Sequence, residues 1–307
     1  MTHSRLLAIL GPTASGKSAL AVAVAQRLHQ PAEIVSTDSM QIYRGMDIGT
    51  ATPTLDEQGG VPHHLFDVWD PSHAVSVAEF QQAARAAIVD IGQRHAVPVV
   101  VGGSGLYVSA VLDDLRFPGT DPVVRARLEA ELESGGVEAM HARLLAVDPV
   151  AAQAILPTNG RRIVRALEVI ELTGEPFVAT LPDPVGVFPA VRIGLEVPRD
   201  ELDARIEQRV DRMWDAGFVD EVRSLGAAGL ANTPTASRAL GYQQVLAALS
   251  GECSEAQARQ DTIDATRKFA RRQQRWFRRD RRITWISYSS ASAVDEVLAT
   301  WGSDTDT

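Results

Sequence analysis

A glycine-rich segment near the N-terminus has the composition of a loop that binds phosphate groups. It follows the pattern G-x-x-x-x-G-K-[ST] with the residues Gly11-Pro12-Thr13-Ala14-Ser15-Gly16-Lys17-Ser18. The glycines allow a tight turn that directs several backbone N–H groups toward phosphate oxygens. Lys17 adds a cation that can follow charge onto a departing phosphate, and the Ser18 hydroxyl can ligate Mg²⁺. The pattern predicts phosphate binding with Mg²⁺. It leaves the compound open, because nucleoside triphosphatases, kinases and prenyl-diphosphate enzymes can all use such a loop.

A carboxylate and a pair of glycines follow two later strand-like runs. Asp38 comes just after Glu33–Ser36, and Gly102 and Gly103 end the run that begins at Val97. The carboxyl ends of parallel strands form the ligand-binding edge of an open sheet. At that edge Asp38 could bind Mg²⁺ through water or accept a proton from an attacking nucleophile. Its position fits a helix N-cap equally well, and the glycines alone are a weak signal.

Five short apolar runs rich in branched residues predict the buried parallel strands that would position these groups. They are Leu6–Leu10, Glu33–Ser36, Val97–Val101, Val191–Glu196 and Ile283–Ser287. Helical stretches separate them, among them Ser18–Leu28, Val77–Gln93 and Asp200–Leu225. The alternation predicts an α/β fold, a P-loop NTPase-like parallel sheet with helices on both faces. The order of the strands does not follow from the pattern.

The segment from Asp114 to about residue 186 differs from its surroundings. It shows helical periodicity over Val123–Glu133, Val137–Ala146 and Arg161–Leu172, and no convincing strand. We therefore expect an all-helical domain, residues 114–186, inserted into a catalytic core made of residues 1–113 and 187–307.

Basic residues are concentrated near the C-terminus of an otherwise acidic chain. The net charge is −9, yet nine of the 30 basic residues lie between Arg267 and Arg282, against one acid, Asp280. At helical spacing, the aromatic residues of this stretch form a buried stripe and five arginines fall near one side. Those arginines are Arg267, Arg271, Arg275, Arg278 and Arg282. The face is either solvated or binds RNA phosphates, and some of its arginines, or Arg205 or Arg209, could instead reach a diphosphate.

Several classes of protein are disfavoured by simple counts. No run of about 18 apolar residues appears, so no transmembrane segment is expected, and no cleavable leader precedes the first apolar run. The single cysteine, Cys253, excludes an internal disulfide and a zinc site built on several thiolates. The adjacent His63 and His64 lack further ligands at metal spacing and indicate packing or hydrogen bonding. We expect a cytoplasmic monomer.

Taken together, the motifs closely resemble the tRNA dimethylallyltransferase family, also called tRNA isopentenyltransferases, in its bacterial form. The likeness covers nearly the whole chain, and the run from Asp38 to Ala51 is far more specific than the phosphate loop. The segments that carry it are GPTASGKS (Gly11–Ser18), DSMQIY (Asp38–Tyr43), RGMDIGTA (Arg44–Ala51), PHH (Pro62–His64), VGGSGLY (Val101–Tyr107), DPVVRAR (Asp121–Arg127), RIVRALE (Arg162–Glu168), GFVDEV (Gly217–Val222), SRALGYQ (Ser237–Gln243) and TRKFARRQQRW (Thr266–Trp276).

The resemblance implies transfer of a dimethylallyl group from dimethylallyl diphosphate to N6 of the adenosine 3′ of the anticodon in tRNA, with Mg²⁺ present. Gly11–Ser18 would hold the diphosphate, and Asp38 would be the general base. Lys17, Ser104 and Arg125 would complete the catalytic groups. By the same resemblance, tRNA would contact Asp38, Ser39, Met40, Gln41, Ser104, Arg125, Arg161, Arg162, Arg165, Arg271 and Arg275. Arg161 departs from the family pattern, which more often has Gln there.

Two other functions compete with this one. A small-molecule P-loop kinase, or a prenyltransferase acting on free adenylate, would need neither the helical insertion nor the basic stretch. A nucleotide-switched RNA-binding protein without covalent chemistry would hydrolyse nucleoside triphosphates and would have no need for Asp38.

Overall fold

The computed structural model describes residues 5–179 and 183–303. Its centre is a six-stranded, entirely parallel sheet with the spatial order β3-β2-β4-β1-β5-β6. In chain order the strands are β1 Leu6–Leu10, β2 Ala32–Ser36, β3 His63–His64, β4 Val97–Gly102, β5 Ala190–Glu196 and β6 Ile283–Ser287. The five predicted strands are confirmed. β3 was not predicted, because a pair of histidines carries neither the length nor the apolar character of a strand.

Twelve α-helices surround the sheet or form the insertion in the part of the chain that the structure describes. They are α1 Lys17–Arg27, α2 Leu55–Gln58, α3 Val77–Gln93, α4 Gly105–Leu112, α5 Pro122–Val147, α6 Pro149–Ala154, α7 Gly160–Thr173, α8 Arg199–Asp215, α9 Phe218–Ala227, α10 Tyr242–Leu249, α11 Glu255–Phe277 and α12 Ala293–Ser303. Among these helices, none combines the length and the apolar character that a membrane span requires.

Both faces of the sheet are buried, as the continuous apolar runs predict. Successive side chains of a strand point to opposite faces. Leu6 and Leu10 accordingly pack in a core that includes residues of α3, α9 and α10. Leu7 and Ile9 pack on the other face with residues of α1 and α12. The central strand β1 is thus held from both sides, and so is the loop that follows it.

One predicted helical stretch is divided in the structure. The periodicity over Asp200–Leu225 indicated continuous helix, but α8 ends at Asp215 and α9 begins at Phe218. Gly217 between them has φ of +93°, in the left-handed region, which a helix interior does not adopt. The break lets α9 leave the direction of α8.

The chain divides into two compact units, one of Met1–Asp113 with Gly186–Thr307 and one of Asp114–Val185. The first, the core unit, contains the sheet. The second, the helical unit, contains α5, α6 and α7 around an apolar core that includes Leu128, Leu144 and Ile163. Within α5, Gly136 has φ of +79° and interrupts the helix between the two predicted segments.

Candidate functional site

The predicted phosphate loop lies between β1 and α1, where the pattern requires it. Gly16 has φ of +94° and forms the N-cap of α1, and Lys17 is the first helical residue. The first N–H groups of α1 have no partner within the helix and lie at its positive end, which favours an anion. Ser18 is solvent-exposed in the next position. The Lys17 ammonium donates to the Pro12 carbonyl at 3.2 Å, so this side chain lies along the loop.

Two side chains from later in the sequence hold the phosphate loop. Arg205 of α8 donates from Nε to the Ala14 carbonyl at 2.8 Å, and Ala14 has φ of +61° without being glycine. Gln273 of α11 accepts from the Thr13 amide at 2.9 Å and is only 5% exposed. A Cβ on Gly103 would lie 2.6 Å from Gln273 Nε2, so this glycine is required for close approach. Neither partner could be recognised from the sequence motif.

Two cavities of the core unit meet at this loop. The smaller, of about 50 Å³, is lined by Thr13, Lys17, Ser18, Asp38, Gln41, Thr50 and Arg209 among others. The larger, of about 320 Å³, is mainly apolar and has Ser39, Met40, Ser104, Met213, Phe269, Arg272 and Gln273 in its lining. Thr13, Asp38, Thr50 and Arg209 line both. A phosphate-sized cavity therefore adjoins a cavity that could admit a base, and Asp38 lies at their junction.

Asp38 does not cap a helix. The next helix, α2, begins at Leu55, so the alternative interpretation as an N-cap is wrong. Asp38 Oδ1 accepts from the Met40 amide at 2.9 Å, which closes a tight turn. Among the described residues, Oδ2 has no hydrogen-bond partner. One oxygen thus fixes the side chain, and the other is available to a substrate.

The electrostatics of the small cavity favour an anion. The pKa of Lys17 is lowered from 10.5 to about 8, mainly by burial and then by the positive charge of Arg209, while Asp38 opposes both effects. Burial is also the main cause that lowers the pKa of Arg209. Arg209 donates to the Thr50 carbonyl at 3.1 Å. Two cations held close together in a partly buried cavity repel each other, and a diphosphate that enters between them relieves the repulsion.

The donor groups of this cavity fit a magnesium ion that arrives with a phosphate ligand. No cluster of three or more His, Cys, Asp or Glu side chains that could hold a metal occurs in residues 5–179 and 183–303. Ser18 and Asp38 do line the same cavity. Mg²⁺ commonly takes one or two protein ligands and fills the remaining positions with phosphate oxygens and water. The Ser18 hydroxyl suits that arrangement, with Asp38 reached only through water.

The other predicted site residues of the core unit line different cavities. Ser104 is the N-cap of α4, makes no capping bond with its side chain, and lines the large cavity with Ser39 and Met40. Gln41 lines only the small cavity. Its side chain accepts from the Ser36 hydroxyl at 2.9 Å and donates to the Ala51 carbonyl at 3.3 Å. Gln41 therefore stabilises the loop between β2 and α2 by hydrogen bonds. It does so beside the small cavity, whereas Ser39 and Met40 line the large one.

The arginines predicted in the helical unit have partners within that unit. Arg125 and Arg165 both form ion pairs with Glu168, whose side chain is fully buried. Arg165 also donates to the Pro118 carbonyl at 2.6 Å, and Arg162 donates to the carbonyl of Ala179. Of these predicted arginines, Arg161 alone is exposed and has no side-chain partner among the described residues. The catalytic role of Arg125 and the tRNA contacts of these arginines stay predictions.

The basic residues of α11 and the turn after it form two distinct sets. The acid-paired set comprises Arg259 with Asp211, Arg267 with Glu207, Arg271 with Asp203, Arg278 with Glu196, and Arg282 with Asp280 and Asp113. The unpaired set has no acidic partner among the described residues and comprises Lys268, Arg272, Arg275, Arg279 and Arg281. The contact of the predicted arginine face with RNA phosphates stays a prediction, and four of its five arginines, all except Arg275, have acidic partners. Of the two arginines of this face predicted to contact tRNA, Arg275 has no acidic partner among the described residues, and Arg271 is 3.7 Å from the Asp203 carboxylate.

The aromatic residues of α11 also divide. Phe277 is buried in the core at 2% exposure, as the predicted stripe requires. Phe269 instead lines the large cavity, with the Arg272 guanidinium 5.6 Å from its ring centre.

Of the two adjacent histidines, His63 bonds the Val61 carbonyl at 2.8 Å and His64 bonds Glu33 at 2.6 Å. Hydrogen bonding therefore explains both rings.

The fold and the paired cavities define a phosphate-loop group-transfer enzyme. A family model described as IPP transferase matches residues 41–280, and one described as isopentenyl transferase matches residues 4–67. A tRNA dimethylallyltransferase of Thermobifida fusca is 61% identical over 299 residues, which is 96% of this chain and 94% of that protein. The chain belongs to the IPP transferase family, whose similar members are named tRNA dimethylallyltransferases.

Solved structures agree with this assignment. A tRNA isopentenylpyrophosphate transferase of Bacillus halodurans aligns with a TM-score of 0.72 and 40% identity, over 98% of this chain and 96% of that one. A eukaryotic dimethylallyltransferase described as acting on tRNA aligns with a TM-score of 0.80 and 25% identity, over 97% and 77% of the two chains. The predicted P-loop NTPase-like α/β fold is confirmed.

Proposed function

We propose that this chain transfers a dimethylallyl group from dimethylallyl diphosphate to N6 of the adenosine 3′-adjacent to the anticodon in tRNA. The products are N6-(dimethylallyl)adenosine and diphosphate. The observation that carries the proposal is the position of Asp38, which lines both the small cavity with Lys17 and Ser18 and the large apolar cavity. A proton acceptor between a diphosphate site and a base-sized site suits attack by an amine on the carbon next to the diphosphate.

The reaction has a simple electron balance. The adenosine N6 forms a bond to C1 of the prenyl group, the C1–O bond breaks, and its electron pair leaves with the diphosphate. An exocyclic adenine amine is a weak nucleophile, since its lone pair is delocalised into the ring, so the proton must be accepted as the new bond forms. Asp38 Oδ2 is the acceptor available for it. Lys17, Arg209 and the loop N–H groups meet the charge that develops on the diphosphate.

Mg²⁺ would be held by the Ser18 hydroxyl, oxygens of the donor and water, which leaves Asp38 Oδ2 free to accept the N6 proton. When bound, it supplies further neutralisation of the leaving diphosphate. Lys17 and Arg209 act on the same charge from the protein, which explains why two cations share so small a cavity.

The RNA substrate must present its adenosine outside the base stack, because N6 cannot reach a carboxylate in a cavity while the base remains stacked. The large cavity offers an apolar lining and the Phe269 ring, which suits a flat base. Arg238 and Arg272 line it as well, and Arg272 belongs to the unpaired set. We propose that this set binds tRNA phosphates, together with Arg161 of the helical unit. A monomer in the cytoplasm is the simplest form consistent with these roles.

The test is incubation of the enzyme with labelled dimethylallyl diphosphate, Mg²⁺ and tRNA lacking the modification, followed by nucleoside analysis. We expect label in N6-(dimethylallyl)adenosine and release of diphosphate. Label in free adenosine monophosphate but not in tRNA would favour a prenyltransferase of free nucleotides. Hydrolysis of ATP stimulated by tRNA, with no label transferred, would favour a nucleotide-switched RNA-binding protein.

A further inference from the structure

Three sequence motifs that supply none of the proposed catalytic groups meet at one carboxylate. They are Asp47–Ala51, Gly217–Val222 and Ser237–Gln243. Glu221 of α9 accepts the backbone N–H groups of Asp47 at 3.1 Å, Ile48 at 2.7 Å and Gly49 at 3.2 Å. The Tyr242 hydroxyl of α10 donates to the same carboxylate at 2.6 Å. Four donors on one side chain indicate a dedicated anchor for the loop.

The backbone of Asp47–Gly49 directs three N–H groups toward the Glu221 carboxylate. Successive backbone N–H groups that converge on one point form a concave anion site, which here is filled by a side chain of the protein. Gly49 has no room for a side chain, since a Cβ would lie 2.2 Å from a ring carbon of Phe218 and 2.4 Å from one of Tyr242. These two rings pack edge to face with centroids 5.0 Å apart. The backbone of Asp47–Gly49 therefore rests against a rigid aromatic surface.

Thr50, the next residue, connects the anchored backbone of Asp47–Gly49 to the lining of the small cavity. Thr50 is buried, and its hydroxyl bonds Thr52 at 2.9 Å. Its carbonyl accepts from Arg209 at 3.1 Å and from Gln41 at 3.4 Å. Only one peptide unit separates the Gly49 N–H that Glu221 holds from the carbonyl that holds Arg209.

Arg209 depends on such a contact for its orientation. It lines the small cavity beside Lys17, a cation that repels it. A long guanidinium side chain has many rotamers, and fixing one costs conformational entropy. Among the described residues, the Thr50 carbonyl is the only hydrogen-bond acceptor of the Arg209 side chain, so a displaced Thr50 would leave Arg209 free to turn away from Lys17.

We propose that Glu221 is a positioning residue for diphosphate binding. It fixes the backbone of Asp47–Gly49, and through Thr50 it holds the Arg209 guanidinium at the small cavity. The inference rests on the proposed function only in that the small cavity binds the donor's diphosphate. Glu221 itself contacts neither substrate.

Binding of inorganic diphosphate with Mg²⁺, followed by calorimetry, tests this directly. Glu221→Gln keeps the shape of the side chain but turns an N–H₂ group toward the loop amides. We expect the Kd for diphosphate to rise about tenfold, on the scale of one charge-assisted hydrogen bond to the ligand. The Kd for tRNA should stay within about twofold. Asp220→Asn is the control, because Asp220 is the exposed neighbour of Glu221 and, among the described residues, its carboxylate pairs with Arg223 alone.

Measuring the effect of Glu221→Gln in an Arg209→Ala variant distinguishes a role in positioning Arg209 from general support of the fold. In Arg209→Ala, diphosphate binding is already weakened, and adding Glu221→Gln should weaken it no further, because the two residues act through one contact. The same loss in both backgrounds, or an unchanged Kd in Glu221→Gln, would overturn the proposal. Should Glu221→Gln fail to fold, Glu221→Asp retains the charge at a shorter reach. It should raise the Kd about threefold in the wild-type background only.

The two proposals fail separately in this design. Absence of prenyl transfer by the wild-type protein, with the Glu221 effect on diphosphate binding intact, would refute the proposed reaction alone. Normal transfer with no effect of Glu221→Gln on diphosphate binding would refute the positioning role alone.

Discussion

The Gln273 side chain accepts a hydrogen bond from the Thr13 amide at 2.9 Å and so joins the basic helix α11 to the phosphate loop. The two residues are 260 positions apart in the sequence. A buried amide N–H that loses its partner costs about 1–3 kcal/mol. The loop thus depends on a distant glutamine for its shape, and α11 contributes both to the phosphate loop and to the surface that we propose binds RNA.

Replacing Gln273 by Met should weaken donor binding and stability together. Met has a similar volume but cannot accept from the Thr13 amide, so we expect a loss of about 1–3 kcal/mol in the free energy of unfolding. Denaturant titration and the KM for dimethylallyl diphosphate measure the two effects. Gln274→Met is the control, because Gln274 bonds the Val197 carbonyl at 3.3 Å and not the loop. Equal behaviour of both variants would contradict a role for the Thr13 bond.

The donor's kcat/KM should depend on pH through Lys17. Its pKa of about 8 means that the free enzyme loses this charge as the pH rises through that value. We expect kcat/KM to be level below about pH 8 and to fall about tenfold per pH unit above it. Bound diphosphate favours the charged lysine, so kcat should begin to fall at higher pH than kcat/KM. Lys17→Arg should remove this limb of the kcat/KM profile. A limb that persists in Lys17→Arg would assign it to another group.

The unpaired and acid-paired sets on α11 should differ in their effect on tRNA binding. The affinity for tRNA falls as the salt concentration rises, and each phosphate contact that is lost makes the plot of log K against log salt shallower by about 0.7–0.9. We expect Arg272→Gln with Arg275→Gln to lower the slope by about 1.5 in filter-binding assays at several salt concentrations. The matched control is Arg267→Gln with Arg278→Gln, which removes two acid-paired arginines of the same stretch. A larger change in the control pair would refute the assignment of the RNA surface to the unpaired set.

Gly102 should tolerate no side chain. A Cβ there would lie 1.7 Å from Thr37 Oγ1, where the ends of β2 and β4 approach each other. We expect Gly102→Ala to destabilise the fold by about 1–3 kcal/mol, the usual cost of overpacking, or more. Thermal unfolding followed by circular dichroism measures it. Gly119→Ala, where no atom lies within 4 Å of the added Cβ, should change the melting temperature little. Equal melting temperatures for the two variants would contradict this packing.

The sequence predicted what local patterns encode. Apolar runs gave the five long strands, and the glycine-lysine spacing located the phosphate loop, because both depend on neighbours along the chain. Arg209, Gln273 and Glu221 act through contacts with residues more than 150 positions away. Their chemical types alone do not reveal such partners. The acidic partners of the α11 arginines could not be foreseen for the same reason, since they lie on α8, β5 and the turn before β6.

Asp38→Asn tests the central claim, that a carboxylate at the junction of the two cavities accepts the N6 proton. Asn can still accept from the Met40 amide, so the turn is retained while the proton acceptor is lost. Single-turnover transfer from dimethylallyl diphosphate to tRNA should slow by about 10²–10⁴-fold, the usual contribution of a general base. Binding of tRNA and of diphosphate should stay within a few-fold. Transfer at the wild-type rate would contradict the account.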